Sequence, residues 1–117
     1  HKIRVVHISG QFFFGSATQI ISKFDDVLGT KYLILNYESD DLLDISAIFA
    51  LEDIIIRLKA QKIKIILVIK NDEVLNQLKV HKILEQIGEN SVFYSELDAI
   101  EKAKSNLKKK IDKKKKN

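Results

Sequence analysis

The chain has 117 residues, of which 45% are hydrophobic, enough for one compact core and too little for two. It contains no cysteine, which excludes disulfides, thiolate metal sites and a cysteine nucleophile. The net charge of +4 comes from the C-terminal end, where seven lysines and one aspartate lie between Lys108 and Lys116. The rest of the chain is slightly acidic, so we expect no nucleic-acid partner.

No membrane span or signal peptide is predicted from the sequence. The longest apolar stretch, Ile63 to Ile69, is too short to cross a bilayer and is interrupted by Lys64. The chain also has no methionine, so we interpret it as a piece of a longer protein that extends upstream of His1.

The N-terminal part of the chain predicts a strand followed by a helix. Ile3 to Ile8 is a β-branched run that ends before Gly10, and a second, brief strand is expected just before the helix. Ser16 and Gln19 have the spacing of a capping box, which predicts the start of the first helix. Gly29 is expected to end it.

The next part predicts another strand and a long helix. Tyr32 to Tyr37 is an apolar strand, and either Asp44 or Ser46 is expected to cap the helix that follows. Asp53 and Arg57 lie one turn apart on its predicted wet side. Its predicted buried positions recur at helical spacing: Ile48, Leu51, Ile55 and Leu58.

Ile63 to Ile69 is apolar at nearly every position, which predicts a strand covered on both faces. Asn71 or Asp72 is expected to cap a third helix, with a break near Val80 and an end at Gly88. The apolar face of this helix consists of Val74, Leu75, Leu78, Ile83 and Leu84.

The last predicted elements are a brief strand, Val92 to Tyr94, and a helix opened by Ser95 and Asp98 that continues into the lysines. Strands that alternate with helices indicate a single layered α/β domain, because parallel neighbours need helical crossovers. We predict a mostly parallel sheet of four to five strands with about four helices. Residues 1–106 form the domain, and residues 107–117 are a tail that is disordered or extends the last helix.

Two blocks of the sequence resemble a known family. GQFFFGSA at residues 10–17 looks like the motif that opens the STAS domains of SulP transporters. LDISA at residues 43–47, followed by ALED at residues 50–53, is similar to a second motif of the same family. The predicted strand between the blocks also fits, and the resemblance extends from Ile3 to about Ala103.

The resemblance implies the STAS fold and the role of a cytoplasmic, C-terminal regulatory or docking domain of a bacterial SulP-type inorganic anion (sulfate) transporter, at the cytoplasmic face of the inner membrane. It implies no catalytic residues, no metal and no cofactor. The implied partners are the transmembrane domain of the same polypeptide, a second copy through the full transporter, and a soluble regulatory protein.

The first block supplies candidate partner-docking or anion-proximal residues, namely Phe12, Phe13, Phe14, Gly15 and Ser16. The phenylalanines are interpreted either as a core anchor or as rings that face outward and dock on a partner. Glycine at position 15 is expected to provide an unusual backbone angle or a close approach.

The second block supplies Asp44, Ile45 and Ser46 as further candidates, at a helix N-terminus that favours anions. In STAS proteins of the anti-sigma-factor antagonist type, the residue after this aspartate is the phosphoacceptor. Isoleucine has no hydroxyl there, which favours a transporter domain, and a stand-alone protein that binds a kinase-like partner is the alternative. Ser46 is a candidate for phosphorylation and, more simply, for an N-cap.

The starts of the first two helices are expected at neighbouring strand ends, which suggests a small pocket for an anion or a nucleotide phosphate. No glycine-rich phosphate loop accompanies it. His1, His7 and His81 lack the spacing of a metal site, and His7 is interpreted as a satisfied or edge residue. An acidic cluster, interpreted as a solvated, turn-rich connection and not as a cation site, consists of Glu38, Asp40, Asp41 and Asp44.

The lysine tail has two interpretations. It is a solvated end, or it contacts anionic lipid, where each lysine contributes about 1 kcal/mol near the surface.

Overall fold

Four parallel strands form the sheet in the computed structural model, which describes residues 2–10, 14–22 and 29–115. Within these ranges the strands are accompanied by five α-helices and a short 3₁₀ turn at Glu89–Ser91. In chain order the elements are β1 (Ile3–Ile8), α1 (Phe14–Ser22), β2 (Tyr32–Tyr37), α2 (Ile45–Ala60), β3 (Lys64–Val68), α3 (Asp72–Val80), α4 (Ile83–Ile87), β4 (Val92–Phe93) and α5 (Glu96–Lys115).

The strands are adjacent in chain order, β1-β2-β3-β4, and every neighbouring pair is parallel. Each pair therefore needs a crossover, and crossovers of the usual right-handed sense place α1, α2 and α3–α4 on one face of the sheet. The other face is covered by α5, the element that follows the last strand. The predicted α/β class and parallel sheet are confirmed.

The core consists of one cluster on each face of β2, whose six residues are all buried. Leu33, Leu35 and Tyr37 belong to the cluster under α2, α3 and α4. Tyr32 and Ile34 belong to the cluster under α5. The predicted buried positions of α2 are confirmed, since these residues are at most 1% exposed: Ile48, Leu51, Ile55 and Leu58.

The first helix begins earlier than the capping box predicts. α1 already includes Phe14, and Ser16 lies exposed inside the helix, so the prediction that Ser16 caps it is wrong. The buried Phe14 ring, 2% exposed, lies at the helix start, where it packs in the core. Apart from its chain neighbours and the nearby helix backbone, no atom of the described residues lies within 4 Å of a Cβ placed on Gly15, and its φ is not left-handed. Neither reason expected for this glycine is therefore found in the described part of the chain.

The short strand expected just before the first helix overlaps residues 11–13, and the last part of that helix before Gly29 is expected over residues 23–28. Both segments lie outside the described residues. Gly29, which was expected to end the helix, has a φ of +98°.

The third predicted helix is divided, as the expected break near Val80 indicates. α3 ends at Val80, and Lys82 has a left-handed backbone with φ +62°. This reversal allows Ile83 and Leu84 at the start of α4 to turn into the core, where both are buried. The division accounts for five helices where about four were expected.

The last helix approaches the sheet through two alanines. Ala99 and Ala103 are fully buried one turn apart, and small side chains let the helix lie close to β2. α5 continues to Lys115, through most of residues 107–117. A boundary between a domain 1–106 and a separate tail stays a prediction.

The substitution Ala103→Leu should destabilise the fold by about 1–3 kcal/mol, because a larger side chain has no room between α5 and β2. Urea unfolding followed by circular dichroism measures the change. Ala60→Leu, at the exposed end of α2, is the matched control and should change the free energy of unfolding by less than about 0.5 kcal/mol. Equal stabilities of the two variants would show that α5 does not pack closely.

Candidate functional site

The second sequence block lies at the carboxyl end of β2 and starts α2. The Asp44 backbone is extended, and its side-chain Oδ1 accepts a hydrogen bond of 2.8 Å from the Ala47 amide. Of the two predicted caps, Asp44 is therefore the N-cap, which satisfies one of the free amides of the first turn. Ile45 and Ser46 lie in that turn, and both side chains are exposed.

The connection between β2 and α2 is held by side chains from outside it. The side-chain amide of Gln77 in α3 makes two hydrogen bonds with the backbone of Leu43. Its Oε1 accepts one from the Leu43 N–H at 2.8 Å, and its Nε2 donates one to the Leu43 carbonyl at 2.7 Å. The Asn71 side chain donates to the Asp40 carbonyl, and the Tyr37 hydroxyl donates to the Asp41 carbonyl, both at 2.9 Å. The loop before the Asp44 cap is thus bound to α3 and β2.

An apolar stripe lies exposed beside this loop, and we call it the α2 stripe. It consists of Leu42, Ile45, Phe49 and Ile56, which are between 52% and 63% exposed. The three helical members share one face of α2, since they are separated by four and seven residues.

Sequence reasoning assigned the buried face of α2 and missed this second apolar face. The signal was available, because α2 has more apolar residues than one buried stripe needs.

The first sequence block contacts the second through the core. The Phe14 ring is buried, with its centroid 5.6 Å from that of Tyr37. Phe14, Tyr37 and Leu43 line a common apolar cavity of only about 10 Å³, which leaves no room for an anion between them. Phe12 and Phe13 lie outside the described residues, and Gly15 and Ser16 are exposed on α1. The anion pocket between the two helix starts stays a prediction.

A polar cluster at the same end of the sheet was not anticipated. The His7 imidazole and the Asn36 amide both contact Glu96 Oε1 at the start of α5, and the distance from Asn36 Nδ2 is 3.0 Å. His7 and Asn36 are partners in the β1–β2 register, which places their side chains side by side. Hydrogen bonds from Asn36 and then from His7 hold the pKa of Glu96 below its ordinary value. His7 lies on an edge strand, as the sequence interpretation allowed.

The amino end of the sheet is lined by lysines. A cleft of about 430 Å³ includes Lys59, Lys64 and Lys102 among its lining residues. A pocket of about 150 Å³ shares Lys64 and Tyr32 with this cleft. Within the part of the chain that the structure describes, no carboxylate lines either one. These lysines are scattered along the sequence, and only the fold brings them together.

Across residues 2–10, 14–22 and 29–115, no three side chains of the metal-binding types come together as a metal site needs. In the same part of the chain, no helix combines the length and the apolarity that a membrane crossing requires.

Comparison with known proteins agrees with this architecture. A family model for the STAS domain matches residues 1–113. The SulP transporter STAS domain from Vibrio cholerae is similar, with 25% identity and a TM-score of 0.84 over 92% of this chain and 85% of that one. A sulfate transporter family protein from Wolinella succinogenes has 24% identity and a TM-score of 0.79, over 92% and 88% of the two chains. Among curated proteins the chain has no match.

The fold is thus a layered α/β domain with a parallel sheet, in which a helix capped by Asp44 follows the carboxyl end of the second strand. The chain belongs to the STAS domain family. Within that family it is similar to the STAS domains of SulP transporters, as the sequence motifs indicated.

The substitution Gln77→Ala should lower the free energy of unfolding by about 1–3 kcal/mol, because the partly buried amide and carbonyl of Leu43 lose their partner. Guanidinium unfolding measures the change. Asn76→Ala, on the exposed side of α3, is the control and should have little effect. If the two variants were equally stable, Gln77 would not hold the loop.

Glu96→Gln should lower the free energy of unfolding at neutral pH by up to about 1 kcal/mol. The effect is small because a contact between partly exposed side chains contributes little to stability. Because the pKa of Glu96 is lower in the folded protein than its ordinary value of 4.5, the ionised carboxylate stabilises the fold at pH values above 4.5. This contribution is lost as the pH falls through the pKa that Glu96 has in the folded protein. The gap between wild type and variant should therefore close in acid, which thermal unfolding at a series of pH values measures.

Glu101→Gln, at an exposed position of the same helix, controls for the loss of a charge. A gap of constant size down to strong acid would contradict the role given to the Glu96 carboxylate.

Proposed function

We propose that the chain is the cytoplasmic, C-terminal regulatory and docking domain of a SulP-type inorganic anion transporter, and that it performs no catalysis. The observation that carries the proposal is the α2 stripe, exposed beside the Asp44 loop in a chain similar to a SulP transporter STAS domain. Its partner is the transmembrane part of the same polypeptide, at the cytoplasmic face of the membrane.

The properties of the stripe support docking. Contiguous exposed apolar side chains rimmed by polar residues are typical of interaction surfaces. Phe49 and Ile56 project from a regular helix, and Leu42 lies in a loop that Gln77 holds in place. A surface of this kind is already ordered before it binds, which lowers the entropic cost of association.

The residues around the cap support a transporter domain over a stand-alone signalling protein. Ile45 occupies the position at which the antagonist type carries its phosphoacceptor, and its side chain is 55% exposed.

Ser46 carries the neighbouring hydroxyl, which is exposed in the first turn of α2, and it is the candidate for phosphorylation. A phosphate at that position would interact favourably with the helix N-terminus.

The runner-up function is a stand-alone STAS protein that binds a kinase-like partner. The exposed first turn of α2 favours it as well, because that turn is open to a partner. The two functions differ in what precedes the domain: transmembrane segments for the first, and a nearby initiator for the second. A homodimer through the full transporter, a soluble regulatory protein and lipid contact by the lysine tail remain predictions.

The substitution Phe49→Gln, made in the full polypeptide that contains this chain, should lower sulfate uptake by membrane vesicles several-fold, because the domain loses an apolar contact with its partner. The domain itself should keep its stability within about 0.5 kcal/mol, since this side chain is 63% exposed. Labelled-sulfate uptake and thermal unfolding are the two measurements.

Val80→Gln is the matched control, because Val80 is 65% exposed on a different helix. Equal uptake by the two variants would contradict docking through the α2 stripe. A full polypeptide without transmembrane segments would instead favour the stand-alone function.

A further inference from the structure

The pocket of about 150 Å³ at the amino end of the sheet is surrounded by positive charge, and we call it the basic pocket. Tyr32 and Leu107 line it. The other described residues of its lining are all lysines: Lys2, Lys31, Lys62, Lys64 and Lys110.

The backbone places three of these lysines at one end of the sheet, with Lys2 and Lys31 directly before β1 and β2 and with Lys64 opposite Tyr32 in the β2–β3 register. The Lys31 amide donates a hydrogen bond of 2.8 Å to the Lys2 carbonyl, and the Lys64 amide donates one of 2.9 Å to the Lys31 carbonyl. These bonds extend the sheet by one residue beyond the first residue of β1 and β2. The positions of the lysines are therefore set by the sheet itself, and not by a flexible loop.

Lys62 has an unusual backbone. It lies in the turn between α2 and β3 with φ +62°, a left-handed conformation that glycine adopts more easily. Glycine is the common residue directly after a helix end of this kind. A lysine at this position costs stability, and its side chain lines the basic pocket.

Among the described residues that line the pocket, none is a carboxylate that would compensate the charge of the lysines. Neither ion pair found among the described residues, Arg57–Asp53 and His7–Glu96, includes these lysines. The adjoining cleft adds Lys59 and Lys102. Ammonium groups gathered in this way repel one another, and a bound anion removes the repulsion.

We propose that the basic pocket binds a phosphate-bearing anion. Its volume is below the 300–1,000 Å³ typical of sites for drug-sized ligands, so it fits a phosphate group and not a whole nucleotide. Lysine ammonium groups, each with three donors, suit a compact phosphate. The site lies at the opposite end of the sheet from the two motif blocks, and the proposal does not rest on the proposed function.

Two sources supply this chemistry, a free polyphosphate and a phospholipid headgroup. The free form is tested with inorganic pyrophosphate by isothermal titration calorimetry on this chain. The lipid form is tested by sedimentation with phosphatidylglycerol–phosphatidylcholine vesicles, against vesicles of phosphatidylcholine alone. Both measurements are made at matched ionic strength, because phosphate affinity depends on salt.

Lys62→Gly is the decisive variant, since it removes one lysine and also relieves the left-handed backbone. It should keep or raise Tm while weakening binding about fivefold, the contribution of one lysine near an anionic surface. Lys82→Gly is the matched control, because Lys82 also has φ +62° and does not line the pocket. That variant should bind like the wild type.

Lys62-dependent binding of pyrophosphate supports the free source, and Lys62-dependent binding of the anionic vesicles alone supports the headgroup. Binding of neither probe, or equal losses in Lys62→Gly and Lys82→Gly, overturns the proposal. Lys62-dependent binding of polyglutamate without binding of either phosphate probe also overturns it, because the surface would then recognise an acidic protein.

Discussion

The complete burial of β2 is the constraint on which the rest of the structure depends. This strand pairs with β1 and β3 along its length, and its side chains alternate between the two halves of the core. A strand buried on both faces needs a helical layer on each, which is why the helix after β4 must return across the opposite face of the sheet. Both candidate sites are built on the two ends of this one strand.

At its carboxyl end, β2 joins the elements that carry the sequence motifs. Tyr37 packs on Phe14 of the first block and donates to the loop before Asp44 of the second. On the other face, Asn36 donates to Glu96 and ties the start of α5 to the sheet. Asn36 is 9% exposed, and its Oδ1 has no hydrogen-bond partner in the described part of the chain. The order of this end therefore depends on a few polar contacts around one strand terminus.

At its amino end, β2 contributes Tyr32 to both lysine-lined cavities. The chain is thereby polarised, with the acidic β2–α2 loop at one end of the sheet and lysines from several elements at the other. Separated charges of this kind give the domain an electrostatic dipole, and a charged surface orients such a dipole before any specific contact forms. The apolar α2 stripe lies beside the acidic end, so the surfaces suited to apolar and to anionic partners are separate.

The sequence alone determined the alternation of strands and helices and the buried face of α2, because these follow from the hydrophobic period. It limited the caps of α2 and α3 to two candidate residues each, and the structure selected Asp44 and Asn71. The two motif blocks also identified the family correctly. The start of α1 could not be derived in this way, because the packing of Phe14 on Tyr37 overrode the local capping signal of Ser16.

Tertiary structure decided what the sequence leaves scattered. Glu96 lies 60 residues from Asn36 in the chain, and the basic pocket draws on lysines from β3, α5 and the segments before β1, β2 and β3. Which residues meet at a strand end depends on strand order, a long-range property that local period does not encode. Helix α2 is likewise apolar on two faces, and only the fold decided which of them is buried and which is exposed.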